Sequence, residues 1–177
     1  MNVPNSITFF RICLVPVFVL SVYLTQDAYS YIPLLIFIFA SITDSIDGYI
    51  ARKYDLITKL GKFLDPLADK ILVMSAFVLL VEMGKAPAWA IILIEARELA
   101  VTGFRIIAAS GDITIAASSL GKIKTISQML AITLAFLPEI SIITTIYPII
   151  FYFAVFMTVV SGVDYFYKNK HVFSYNE

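Results

Sequence analysis

Asp44 and Asp47, three residues apart, and Asp65 and Asp69, four apart, stand in stretches otherwise rich in Ile, Leu and Phe. On helices turning about 100° and rising ~1.5 Å per residue, Asp44, Asp47, Gly48 and Ala51 share one face, and Asp65 and Asp69 share another with Gly61 one turn before them. A carboxylate within an apolar membrane segment costs roughly 3 kcal/mol to insert, so each needs a partner or a wet cavity. Four facing carboxylates repel one another or take up protons unless cations lie among them. Hard oxygen donors without His or Cys favour Mg²⁺ or Mn²⁺ over zinc, and two such ions could share bridging aspartates. A pair of ions suits phosphoryl chemistry, in which an attacking oxygen must be activated and charge on a leaving phosphate offset.

The neighbouring residues fit that chemistry. Gly48 and Ala51 remove bulk from the carboxylate face, and Gly61 lets the helices or a nucleotide approach closely. Arg52 adds a planar fork matched to phosphate oxygens. A single Asp or Gly in such a helix is more often a packing residue or an ion-pair partner, and paired aspartates also occur in cation pathways. Neither of those readings accounts for all eight positions together, whereas a pocket for a nucleotide diphosphate does.

The elements that must hold these residues are membrane helices. Of 177 residues 60% are hydrophobic and 15% charged, and the mean hydropathy is +0.89, which a water-soluble globule does not tolerate. Apolar runs predict six spans near 7–24, 31–53, 61–83, 87–109, 119–137 and 142–167, an all-α integral membrane fold that leaves no room for a second domain, so residues 1–177 are expected to form one catalytic unit. Arg52, Lys53, Lys59 and Lys62 flank the second break, Lys122 and Lys124 follow the fourth, Lys168 and Lys170 lie in the tail, and Lys85 stands alone on the other side. The positive-inside rule then puts both termini and both aspartate pairs on the cytoplasmic side. Thirteen basic against 13 acidic residues argue against a nucleic-acid partner. The N-terminal segment lacks the features of a cleaved signal and reads as a retained span. Cys13 reads as a small packing residue, and Trp89, Tyr165 and Tyr167 as members of interfacial aromatic belts.

The pattern Asp-x2-Asp-Gly-x2-Ala-Arg, eight residues, then Gly-x3-Asp-x3-Asp resembles the signature of the CDP-alcohol phosphatidyltransferase family, met here by Asp44, Asp47, Gly48, Ala51, Arg52, Gly61, Asp65 and Asp69. The resemblance implies that family's six-helix membrane fold and a homodimer. It makes Asp44, Asp47, Asp65 and Asp69 the metal ligands, with Asp69 also the general base, and assigns Gly48, Arg52 and the intervening Thr58 to the CDP-lipid. An acceptor hydroxyl would attack the lipid-bearing phosphorus and expel CMP.

Further segments, Asn2 to Arg11, Ala96 to Glu98 with Thr102 to Arg105, Gly121 to Thr125 and Ser161 to Tyr165, resemble the bacterial branch of the family that makes phosphatidylglycerophosphate. That implies CDP-diacylglycerol and sn-glycerol 3-phosphate as substrates, within the bacterial cytoplasmic membrane. An acceptor that already carries a phosphate needs cations besides Arg52, and Arg105, Lys122 and Lys124 cluster at the cytoplasmic fourth break. They read either as that site or as positive-inside anchors. Arg97, between Glu95 and Glu98, reads as an ion-pair member. Asn5, Thr8 and Arg11 read as nucleotide hydrogen-bonding groups or as caps and interface anchors, and His171 as an interfacial residue.

Two alternatives keep part of this reading. Another acceptor, such as inositol phosphate or phosphatidylglycerol, preserves the chemistry. A divalent-cation transporter would also place aspartates in membrane helices, but no ionisable cluster stands on the far side to complete a path.

Overall fold

A computed structural model describes residues 3–25, 31–53, 59–110, 115 and 118–170, and their side chains apart from those of 3–7, 44–53, 59–67, 69, 109 and 110. Six helices account for nearly all of these: α1 (Val3–Leu24), α2 (Ile32–Lys53), α3 (Lys59–Glu82), α4 (Ala88–Ser110), α5 (Ser119–Ala135) and α6 (Ser141–Lys168). No strand occurs among the described residues. Each expected span corresponds to one helix. The helices α1 and α3 start a few residues before their apolar runs, because backbone hydrogen bonding continues into polar residues that a count of apolar side chains leaves out.

Two helix ends show why the chain breaks where it does. At the end of α3, Gly84 takes φ +70°; its N–H reaches the Val81 carbonyl at 3.0 Å and that of Lys85 reaches Leu80 at 2.9 Å. This left-handed cap satisfies the last carbonyls and turns the chain into α4. At the start of α5, Ser118 is extended and its hydroxyl accepts from the Gly121 N–H at 3.0 Å, capping the helix.

The helices alternate in direction. Phe10 meets Phe39 and Phe18 meets Phe37, so α1 and α2 are antiparallel, while Tyr23 Oη donates to Glu82 across the matching ends of α1 and α3 at 2.6 Å. Trp89 with Tyr152, Arg97 with Ser161 and Arg105 with Tyr165 run in step along parallel α4 and α6. Helix α5 lies along α6, and α1 lies along both α2 and α3, which also touch each other. The principal core draws on every helix, with Phe18, Phe37, Phe77, Ile94, Ile132 and Phe151 at its centre.

Polarity is inverted relative to a soluble bundle. Phe9, Leu20, Leu35, Ile92, Ile126, Ile149, Phe156 and Val163 point outward, whereas Arg11, Lys124, Gln128 and Thr158 are buried. Water would penalise that apolar exterior and a bilayer accommodates it. Helix α6 combines 28 residues with a mean hydropathy of 2.0 over its most apolar window, enough to cross by composition alone. The chain is a membrane protein. Cys13 is exposed on α1 rather than packed inside, a small apolar group on the outer face.

Candidate active site

Helix α2 runs unbroken to Lys53, so Asp44, Asp47, Gly48, Ala51 and Arg52 occupy its last three turns. Helix α3 begins at Lys59, so Gly61, Asp65 and Asp69 occupy its first three. With α2 and α3 antiparallel, those turns belong to the same end of the bundle. The side chains of all eight, and that of Asn5 in the first turn of α1, lie outside the described residues, as does Thr58 altogether. Among the described residues no group of three or more His, Cys, Asp or Glu comes together. Thr8 and Arg11, one turn apart on α1, are fully buried; Arg11 therefore lies within the protein rather than at an interface, and a buried guanidinium is costly unless bonded.

Beside the aspartate-bearing turns lies a cavity of about 580 Å³ between α3, α4, α5 and α6. Lys70, the residue after Asp69, lines it, so the cavity abuts the turn of α3 that carries Asp69. Arg97, Arg105, Lys122 and Lys124 supply four more cations to its wall, against the carboxylates of Glu95 and Glu98. Five positive against two negative groups give this wall a positive balance of charge.

These cations differ in how far they are committed. Lys124, almost wholly buried, is paired with Glu98 Oε1. Arg97 reaches the same oxygen at 3.3 Å through Nη1 and donates to Ser161 Oγ at 3.1 Å through Nη2. Lys70 Nζ donates to Thr102 Oγ1 and to the Glu98 carbonyl, tying α3 to α4. The Arg105 Nε–H donates to Tyr165 Oη at 3.1 Å and its guanidinium lies 5.5 Å from that ring's centre. That leaves the two terminal Arg105 nitrogens and the Lys122 ammonium without partners among the described residues. Of the three cations expected to hold an acceptor phosphate, Lys122 and the terminal nitrogens of Arg105 are uncommitted among the described residues and Lys124 is engaged.

The wall is braced from α6. A Cβ on Gly162 would stand 3.1 Å from Arg97 Cγ, so glycine makes room for the arginine to lie across the helix. Gln128 Nε2 donates to Thr158 Oγ1 at 3.0 Å, binding α5 to α6 below it. Tyr165 is 2% exposed and packs on Phe104, so it is no member of an interfacial belt; Trp89 and Tyr167 are exposed, as an aromatic belt requires. The pairing of Arg97 with Glu98 matches expectation, and Glu95 stays apart from it.

Lys70 is a cavity residue that the sequence reading passes over, and Tyr165 one that it places in an aromatic belt. Both had a signal. A lysine at membrane depth needs a partner for the same reason an aspartate does, and Thr158, Ser161, Gly162 and Tyr165 recur at helical spacing on one stripe of α6.

Residues 1–160 match the family model described as CDP-alcohol phosphatidyltransferase. The chain is 44% identical to the CDP-diacylglycerol–glycerol-3-phosphate 3-phosphatidyltransferase of Bacillus subtilis, over 95% of each chain. It is 38% identical to the enzyme of the same name from Rickettsia bellii, over 97% of each. It is also 38% identical to a probable phosphatidylglycerophosphate synthase of Mycobacterium tuberculosis, over 93% of this chain and 79% of the relative. The chain belongs to the CDP-alcohol phosphatidyltransferase family.

Proposed function

We propose that this chain transfers the phosphatidyl group of CDP-diacylglycerol to sn-glycerol 3-phosphate, giving phosphatidylglycerophosphate and CMP. The similarity to enzymes bearing that name supports the reaction, and the cation-lined cavity against the Asp69 turn is the observation that carries the acceptor. An acceptor with its own phosphate fits such a wall. Serine, which has none, does not.

In this reading the terminal nitrogens of Arg105 fork two phosphate oxygens of the acceptor, held at that angle by the Nε bond to Tyr165. Lys122 adds a second positive charge at the mouth, and Lys124, offset by Glu98, lines the floor. The acceptor's C1 hydroxyl gives its proton to Asp69 as its oxygen bonds to the lipid-bearing phosphorus. The bond from that phosphorus to the CMP oxygen breaks, and CMP leaves with the electron pair. Gly48, Arg52 and Thr58, with Asn5 and Thr8 from α1, hold the CDP-lipid. Asp44, Asp47, Asp65 and Asp69, all hard oxygen donors on two neighbouring helices, suit a pair of Mg²⁺ or Mn²⁺ ions, which when bound would supply positive charge to the diphosphate. The whole chain works as one catalytic unit, as a homodimer in the bacterial cytoplasmic membrane with its active site toward the cytoplasm.

CMP release by the purified protein with CDP-diacylglycerol and Mg²⁺ tests this, with sn-glycerol 3-phosphate, inositol 1-phosphate, serine and phosphatidylglycerol as alternative acceptors. Turnover with glycerol 3-phosphate alone is expected. Turnover with inositol 1-phosphate but not glycerol 3-phosphate would overturn the acceptor assignment.

A further inference from the structure

Glu98 is the most heavily bonded carboxylate in the cavity wall, yet its bonding is lopsided. Lys124 and Arg97 both meet Oε1, and Oε2 has no partner among the described residues. A carboxylate oxygen is an acceptor only, so what it lacks is a donor. The two cations that reach this carboxylate, Lys124 and Arg97, are both on the other oxygen. With two cations offsetting its charge, Glu98 can stand beside an anionic substrate with little repulsion.

Glu98 also lies at the right depth. It is seven residues before Arg105 on α4, about 10.5 Å along the axis; both side chains lean back toward the N-terminal turns, and the longer reach of arginine narrows that gap. Lys70, hydrogen-bonded to the Glu98 carbonyl, places the same level beside the α3 turn that carries Asp69. An acceptor held by its phosphate at Arg105, with its reacting hydroxyl toward Asp69, passes Glu98 with the middle of its carbon chain.

We infer that Glu98 Oε2 accepts a hydrogen bond from the C2 hydroxyl of glycerol 3-phosphate and so selects a vicinal diol phosphate over a simple hydroxyalkyl phosphate. This rests on the acceptor assignment proposed above and adds the group that reads the acceptor's middle carbon. A site built to bond a substrate hydroxyl discriminates strongly against an analogue that lacks it, because the buried polar group is then left unmet.

The test compares kcat/KM for glycerol 3-phosphate with that for 3-hydroxypropyl phosphate, which keeps the phosphate and the reacting hydroxyl and lacks only the C2 hydroxyl. Wild-type protein should prefer glycerol 3-phosphate at least tenfold, and Glu98→Ala should bring the two within about threefold. Removing Glu98 alone strands buried Lys124, so the Glu98→Ala/Lys124→Met variant is measured alongside and should show the same narrowed ratio. A merely structural role would lower both substrates together and leave the ratio intact, which would overturn the inference. So would a wild-type ratio near one, or a Glu95→Gln variant that narrows the ratio while Glu98→Ala does not. No CMP release by wild-type protein with glycerol 3-phosphate would overturn the underlying reaction instead.

Discussion

The two ends of this bundle are built from the same six helices by opposite rules. Toward the α3–α4 turn, Phe18 packs on Phe37 and Phe136 with ring centres 5.8 and 5.5 Å apart, and among the described residues the ion pair of that end lies at the rim, where Lys85 meets Glu139 at 3.2 Å and donates to the Ala135 carbonyl at 2.8 Å. Toward the other end the same helices enclose Lys70, Arg97, Glu98 and Lys124 around a cavity. Inside a membrane, helices gain little from burying apolar surface against each other and hold together by close packing. The far end follows that rule. The near end sacrifices packing for buried charge, a costly arrangement that the acceptor site proposed above accounts for.

Substitutions can break this contrast in order of effect. Asp69→Asn should abolish turnover, cutting kcat by about 10³ or more, since it removes the proposed base from an otherwise intact helix; CMP release on protein checked for folding by circular dichroism reads this. Normal turnover would remove Asp69 from the mechanism. Phe18→Ala, at a fully buried far-end position, should cost about 3–5 kcal/mol in stability and leave the acceptor KM unchanged, read by thermal unfolding in detergent beside steady-state kinetics. A raised acceptor KM there would mean that the two ends are not separable. Lys85→Met should matter least, about 1 kcal/mol or less at a partly exposed pair, with both KM values unmoved.

The sequence shows the near end's intent better than its wiring. Helix positions follow from apolar runs punctuated by Gly84 and Pro138, because a bilayer leaves the backbone few other options. The aspartate pattern is readable because its spacing on each helix is local. What spacing within one helix does not reveal is pairing between helices. Lys122 and Lys124 look alike in sequence, yet one is exposed with no partner among the described residues while the other turns inward to Glu98, two residues and about 200° around α5. Tyr165 looks like its exposed neighbour Tyr167 for the same reason, and Cys13 takes the outer face of α1 although nothing in its apolar run distinguishes the two faces.

In the function proposed above, the near-end cavity seats the acceptor's phosphate, apart from the CDP-lipid. Steady-state kinetics of the Arg105→Gln/Lys122→Gln variant test it most directly. A KM for sn-glycerol 3-phosphate raised at least tenfold is expected, on the scale of one or two charge-assisted hydrogen bonds, with the KM for CDP-diacylglycerol unchanged. Equal KM values for glycerol 3-phosphate in variant and wild type, or a rise confined to CDP-diacylglycerol, would contradict it.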